Sequence, residues 1–370
     1  FVMDMLFYQI ALTKIPRVGP RLAKNLISYC GGVREIFKAS ARDLRAIPGV
    51  GERIARHIRH DAGHREAERE LRFIEQHHIQ THFFLDDTYP FRLKPYPDCP
   101  ILLYYRGSAA LNHYRTVAVV GTRRPNDYGL QACERLIGEL QDYDVQVISG
   151  LAYGVDIAAH RRCLESSIPT IGVLGHGLGR IYPQQHRRVA QQMLEKGGLL
   201  TEYSSQTGPE REHFPMRNRL IAGLCDALLV IQTAEKGGSM ISADLANHYH
   251  KEVFALPGRV GDPQSRGCNQ LIKSHRAQLF ESVADVAVGM GWDSSAPHQV
   301  QQRLFPELSR EEQCILGVLS NREVSDIDQL QMEAKIGSSQ LAALLLGLEF
   351  KGVIRPLPGK RYAMLSGKTV

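Results

Sequence analysis

The 370-residue sequence has no apolar run near the roughly 18 to 20 residues that a bilayer-spanning helix needs. Its N-terminus shows no basic segment, apolar core and small-residue cleavage site in succession. These absences predict a soluble, cytoplasmic protein without membrane insertion. The seven cysteines are scattered at 30, 99, 133, 163, 225, 268 and 314, with no C-x-x-C pair, which predicts free thiols in a reducing compartment. His160 with Cys163, and His248 with His250, are close in sequence, but neither has a second pair to complete tetrahedral ligation, so no metal is expected. The Walker pattern G-x-x-x-x-G-K-[ST] is missing. Gly175 and Gly177 supply two glycines of the dinucleotide fingerprint, but Arg180 stands where the third belongs. No nucleotide cofactor is expected. Nor is there a G-x-S-x-G elbow, and Asp156 and His160 share a helix face without a nucleophile, so we expect no catalytic set.

What is present points to several domains. Apolar residues make up 43% of a chain longer than one core usually serves. The formal net charge of +6 is concentrated at one end: residues 1–82 carry 14 Lys and Arg against 9 Asp and Glu, and the remainder is nearly balanced. A polyanionic partner for the N-terminal segment fits that excess. Residues 1–80 read as helices with two similar breaks, IPRVGPRLAKNL from Ile15 and IPGVGERIARHI from Ile47, resembling a helix-hairpin-helix pair whose glycine turns expose amides to phosphate. The second copy, with Gly49, Gly51 and Arg53, fits better than the first, where Arg17 replaces a glycine. The stretch from Ala62 to His78 reads as one long solvated helix end.

Residues 81–293 read as the central domain. After a proline-punctuated β lead-in, near-continuous apolar strands (TVAVV, VQVIS, PTIGVL, GLLTEY, CDALLVIQ, EVFAL) alternate with helices. This predicts an α/β fold with a doubly covered, Rossmann-like parallel sheet. Residues 294–306 are polar, hence a linker. Residues 307–370 read as a winged helix: a helix with a Ser309/Glu312 capping box, two helices broken at Gly337, and a hairpin turning near 358–360. Its third helix, from Ser339 to Phe350, is nearly all apolar or small, which favours protein contact over duplex readout.

Turns after parallel strands gather on one edge of the sheet. Four are rich in amides: Gly121-Thr122-Arg123, the turn from Ser149 and Gly150 to Gly154, Gly175-His176-Gly177 and Gly237-Gly238-Ser239. Together they predict a phosphate-binding rim, with Arg123 adding full charge and Arg124 beside it. Gly154 and Gly177 fit tight strand-to-helix packing equally well. The stretch from Arg211 to Asp226 sets Arg211, Phe214, Arg217, Asn218 and Arg219 before an apolar helix. Cations for phosphates beside an aromatic for bases suit single-stranded nucleic acid. Arg217 and Arg219 also suit hydrogen bonds to strand-end carbonyls, so Arg123 and Arg211 are the stronger phosphate ligands.

The ordered motifs VVGTRRPNDYG, SGLAYGVD, LGHGLGRIYPQQH, LLTEY, HFPMRNRLIAGL, GGSMISADLA, VFALPG and GCNQLI closely resemble the bacterial DNA-processing protein A family, also called Smf. The resemblance implies an extended Rossmann core flanked by a helical, SAM-like helix-hairpin-helix domain and a winged helix. It further implies single-stranded DNA binding, protection of incoming DNA in natural transformation (competence), loading of the RecA recombinase, homodimerisation through the core, and no enzymatic role. Within it, Arg123 falls on the phosphate-contacting arginine, Arg211 near the cationic position, and Phe214 on the base-contacting aromatic. The sequence departs from the family pattern at Ser274-His275-Arg276, near the family's self-association surface. An alternative class, the Rossmann-like nucleoside-monophosphate phosphoribohydrolases, carries P-G-G-x-G-T. Here Lys236-Gly237-Gly238-Ser239-Met240-Ile241 lacks the proline, the third glycine and the threonine. A sequence-specific regulator acting through the winged helix is a third class, opposed by the apolar third helix.

Overall fold

A computed structural model describes residues 2–60, 63–292, 309–320, 325–334, 336–350, 353–357 and 361–364. It forms two compact units, Phe1–Ser295 and Ala296–Val370. In the first, six helices lead: α1 (Val2–Lys14), α2 (Pro20–Cys30), α3 (Val33–Lys38), α4 (Ala41–Arg45), α5 (Glu52–Arg59) and α6 (His64–His77). The two sequence repeats are two similar turns. Gly19 and Gly51 are the N-caps of α2 and α5, both in extended conformation. Arg17 and Gly49 precede them with φ of 69° and 88°. Arg17 therefore holds the left-handed backbone that its counterpart reaches as glycine.

A nine-stranded sheet follows, built of β1 (Gln80–Phe83), β2 (Leu102–Gly107), β3 (Thr116–Val120), β4 (Gln146–Ser149), β5 (Thr170–Val173), β6 (Gly197–Thr201), β7 (Ala227–Val230), β8 (Glu252–Ala255) and β9 (Gln278–Leu279). The order is β1-β2-β6-β5-β4-β3-β7-β8-β9. β6 through β9 in that order pair in parallel, and β1 and β2 add an antiparallel edge. This is the doubly wound sheet expected from the alternating pattern. Its helices are α7 (Asp127–Glu139), α8 (Val155–Glu165), α9 (Arg187–Lys196), α10 (His213–Leu224), α11 (Gly238–His248), α12 (Arg266–Lys273) and α13 (Val283–Gly289).

Every residue of β3 is buried because both faces are covered. Val117 and Val119 pack with Leu136 of α7, Ala159 of α8 and Val286 of α13. Ala118 and Val120 meet Ile221 of α10, Met240 of α11 and Leu271 of α12. The strand's two-residue period thus feeds two cores. Asn126 caps α7, its side chain accepting from Gly129 N at 3.0 Å, a contact worth about 1 kcal/mol. α10 begins at His213 and takes in Pro215, because a proline in the first turn costs no hydrogen bond.

The helical domain, residues 1–80, packs on the edge of the sheet. Ile10, Leu26 and Ile58 share one core with Phe83, Leu102 and Tyr104 of the antiparallel edge. α6 is not the solvated helix expected from its charges: Ala67, Glu70 and Ile74 are buried. Glu70 accepts hydrogen bonds from Ser205 N and from Ser205 Oγ at 2.7 Å.

The second unit contains α14 (Arg310–Ser320), β10 (Ser325–Asp326), α15 (Ile327–Ala334), α16 (Ser338–Phe350), β11 (Ile354–Leu357) and β12 (Arg361–Met364). The three strands pair in the order β10-β12-β11, giving a winged helix. The Ser309/Glu312 capping box forms in both directions. The linker, residues 294–306, and the hairpin tip, residues 358–360, lie outside the described residues.

Candidate functional site

The strand order reverses at β3, which pairs with both β4 and β7. In a doubly wound sheet this switch point opens a crevice beyond the carboxyl ends of the strands. A cleft of about 680 Å³ lies there. The turn after β3 contributes Gly121, Thr122 and Arg123; the approach to α10 and its first turns contribute Arg211, Phe214, Arg217 and Asn218; Gly237, Gly238 and Ser239 open α11. Three stretches distant in sequence thus converge.

Backbone packing fixes the Arg123 turn. Gly154 has φ of +78°, and a Cβ there would strike the Thr122 carbonyl. A Cβ at Gly121 would strike Val155. Gly154 is therefore a packing glycine, and so is Gly177, which lies against the Ser204 carbonyl. Arg123 itself is exposed, with its guanidinium 5.5 Å from the Phe214 ring centroid. Phe214 is half-buried and leans on Tyr182, with ring centroids 5.8 Å apart. Tyr182 is 45% exposed and also lines the cleft. The sequence reading did not include it among the site residues, although it lies in the quoted stretch LGHGLGRIYPQQH.

The remaining candidates separate. Asn218 Nδ2 approaches the Gly238 carbonyl at 3.4 Å, tying α10 to the first turn of α11. Space is open where a Cβ at Gly238 would sit. Ser239 is buried and donates to Thr233 Oγ1 at 2.6 Å, so its hydroxyl serves the protein. Arg217 is 3% exposed and donates to the Gly150 carbonyl at 2.6 Å and to the Val173 carbonyl. It ties together the ends of β4 and β5 at the floor of the cleft. Burial lowers its guanidinium to about 10, still charged at neutral pH, with Asp156 opposing that shift. Burial also pushes the Asp156 carboxyl up, against the pull of Arg217. Gly150 lies beneath this pair, where a Cβ would meet the Arg217 guanidinium. Arg219 points elsewhere, paired with Glu202, and is not among the residues that line the cleft. Of the cations near this cleft, Arg123 and Arg211 are exposed, and neither has a carboxylate within ion-pairing distance among the described residues.

An exposed arginine over an aromatic, at the switch point and flanked by a helix N-terminus, can receive a phosphate and a base side by side. Comparison with known proteins shows the family. The family model for DNA recombination-mediator protein A matches residues 80–291. The chain belongs to this family. A SAM-like helix-hairpin-helix tandem matches residues 10–62, and the winged-helix domain characteristic of the family matches residues 300–360. Protein Smf of Synechocystis is 30% identical, over 96% of this chain and 98% of its own length. The solved DNA processing protein A of Streptococcus pneumoniae is 31% identical with a TM-score of 0.68, covering 76% of this chain and 97% of that one. DNA processing protein A of Helicobacter pylori, solved in a study of its single-stranded DNA binding mode, is 32% identical with a TM-score of 0.53, covering 58% of this chain and 97% of that one. Among the described residues no group of three His, Cys, Asp or Glu could hold a metal, and no helix is long and apolar enough to cross a membrane.

Proposed function

We propose that this family member binds single-stranded DNA in the switch-point cleft and acts as a recombination mediator, protecting incoming DNA and loading RecA during natural transformation. One observation carries the binding reading: Arg123, exposed and with no carboxylate within ion-pairing distance among the described residues, stands 5.5 Å from the half-buried Phe214 ring. Arg123 and Arg211 take backbone phosphates, Phe214 stacks on a base, and the amides at Gly121, Thr122, Gly237 and Gly238 support the strand. Arg217 and Arg219 act through the protein, the first by bracing the cleft floor. The relative from Helicobacter pylori described with a single-stranded DNA binding mode supports the choice of ligand. The protein acts in the cytoplasm, without a cofactor and without catalysis, as a homodimer through the Rossmann core. The winged helix is a protein-contact module. On α16, Ala342, Ala343 and Leu346 are exposed beside Glu349, and its described residues include no cation to meet a duplex.

Arg123→Ala tests the cleft. Fluorescence anisotropy with labelled oligo-dT should show affinity falling at least about tenfold at moderate salt, with the slope of log K against log salt shallower by about 0.7, the loss of one phosphate contact on a single strand. Unchanged binding would remove the site. A RecA filament assay on DNA coated by a single-strand-binding protein tests mediation separately. Release of free base from a nucleoside monophosphate would instead favour the phosphoribohydrolase class.

A further inference from the structure

The cleft does not end at its aromatic pair. Tyr182 and Pro209 line both the cleft and a second groove of about 620 Å³. That groove collects Arg106 from the end of β2, Arg180 from the turn after β5, and Arg187 from the start of α9. All three are exposed. None has a carboxylate within ion-pairing distance among the described residues, and no Asp or Glu lines the groove.

Solvated surfaces usually intersperse charges of both signs, as this protein does in another groove. There a groove of about 600 Å³ meets the cleft at Arg123, and its Arg124, Arg161 and Arg162 are accompanied by Glu134 and Glu165. Arg162 is paired with Glu165 at 3.4 Å. A polyanion leaving the cleft therefore meets a lining of mixed sign on one side and, on the other, three cations with no acid among the lining residues.

We propose that a single strand of DNA leaves the cleft across Tyr182 and continues into the Arg106–Arg180–Arg187 groove, which forms a second, sequence-independent phosphate subsite and gives the strand a fixed direction of exit. The inference rests on the cleft as the primary single-strand site. Tyr182, 45% exposed and tilted 44° to Phe214 at 5.8 Å, supplies the stacking surface at the junction. Arginine suits this role because its planar fork binds phosphate oxygens in pairs.

The test is a length series of oligo-dT from about 6 to about 24 nucleotides, a span that covers the site sizes common for single-strand grooves. It is measured over a salt titration on the parent, on Arg123→Ala, and on the triple variant Arg106→Ala/Arg180→Ala/Arg187→Ala. The parent should gain affinity with length. The triple variant should match the parent on the shortest oligonucleotide, lose at least about tenfold on the longest, and show a salt slope shallower by about 2, from three lost contacts at roughly 0.7 each. Arg123→Ala should weaken every length. An equal loss at all lengths in the triple variant would mean a diffuse field rather than a subsite and would overturn the proposal, as would a parent-like length dependence. If Arg123→Ala binds every length like the parent, it is the cleft reading that fails.

Discussion

At Arg17 the sequence looks like a damaged repeat, yet the backbone is intact. Its φ of 69° matches the 88° of Gly49, and a side chain in the left-handed region costs about 1 to 2 kcal/mol. Arg17 is exposed, so its side chain gains little packing in return. Arg17→Gly should therefore raise stability by about 0.5 to 1 kcal/mol, after allowing for the entropy glycine adds to the unfolded chain. Urea unfolding would read this as a higher midpoint, with Arg17→Ala as the control that gains nothing. If alanine stabilised as much as glycine, backbone strain would be the wrong explanation. Spacing also decides the fate of the two helical arginines. Phe214, Arg217, Asn218 and Ile221 recur at the interval of one helix face, and all four line the cleft. Arg219, two residues beyond Arg217, has to face away. That exclusion was available from the sequence. The burial of Arg217 was not, because it depends on where the β4 and β5 carbonyls end.

At the scale of elements, the strands, the parallel sheet and the helix-hairpin-helix turns were legible because each is written in a local period or a local glycine. The role of α6 was not. Its alternating charges describe a solvated helix, and only the loop after β6, 135 residues away, makes Glu70 a buried acceptor. Lys14 reaches the same loop, with Nζ 2.5 Å from Ser204 Oγ, and burial lowers its pKa although Glu70 and Glu66 oppose that shift. The loop continues to Pro209 and Arg211 at the cleft rim, so the helical domain braces one wall of the site. Glu70→Ala would leave the Ser205 amide and hydroxyl buried without an acceptor. We expect a loss of about 2 to 4 kcal/mol, in the range for charge-assisted bonds and orphaned donors. The check is the denaturation midpoint, compared with Glu70→Gln, which retains one acceptor and should lose less. Equal losses would assign the effect to packing alone.

For the molecule as a whole, four buried histidines of the core domain favour their neutral form. Burial pulls His82, His160, His176 and His186 below the usual value, and His160 goes furthest, to about 3. His160 is fully buried, with Nδ1 2.7 Å from Thr170 Oγ1, between α8 and β5. An unfolded chain takes up a proton on each histidine near pH 6.5, while the folded chain leaves His160 neutral until about pH 3. The unfolded state thus binds more protons throughout that window, and stability falls as pH falls. For His160 the decline is about 1.4 kcal/mol per pH unit, beginning near pH 6.5 and ending near its folded value. Asp156 and Glu202, raised by burial, work in the opposite direction because the folded state takes up their protons first. The parent's pH profile is therefore a sum of opposing contributions, and a single substitution isolates one of them. His160→Gln keeps a polar partner for Thr170 but cannot titrate. Urea midpoints at pH 7 and pH 4.5 should show a smaller acid-induced loss in the variant than in the parent, by about 2 to 3 kcal/mol. A variant whose stability falls as steeply as the parent's would show that His160 already carries its proton in the folded protein.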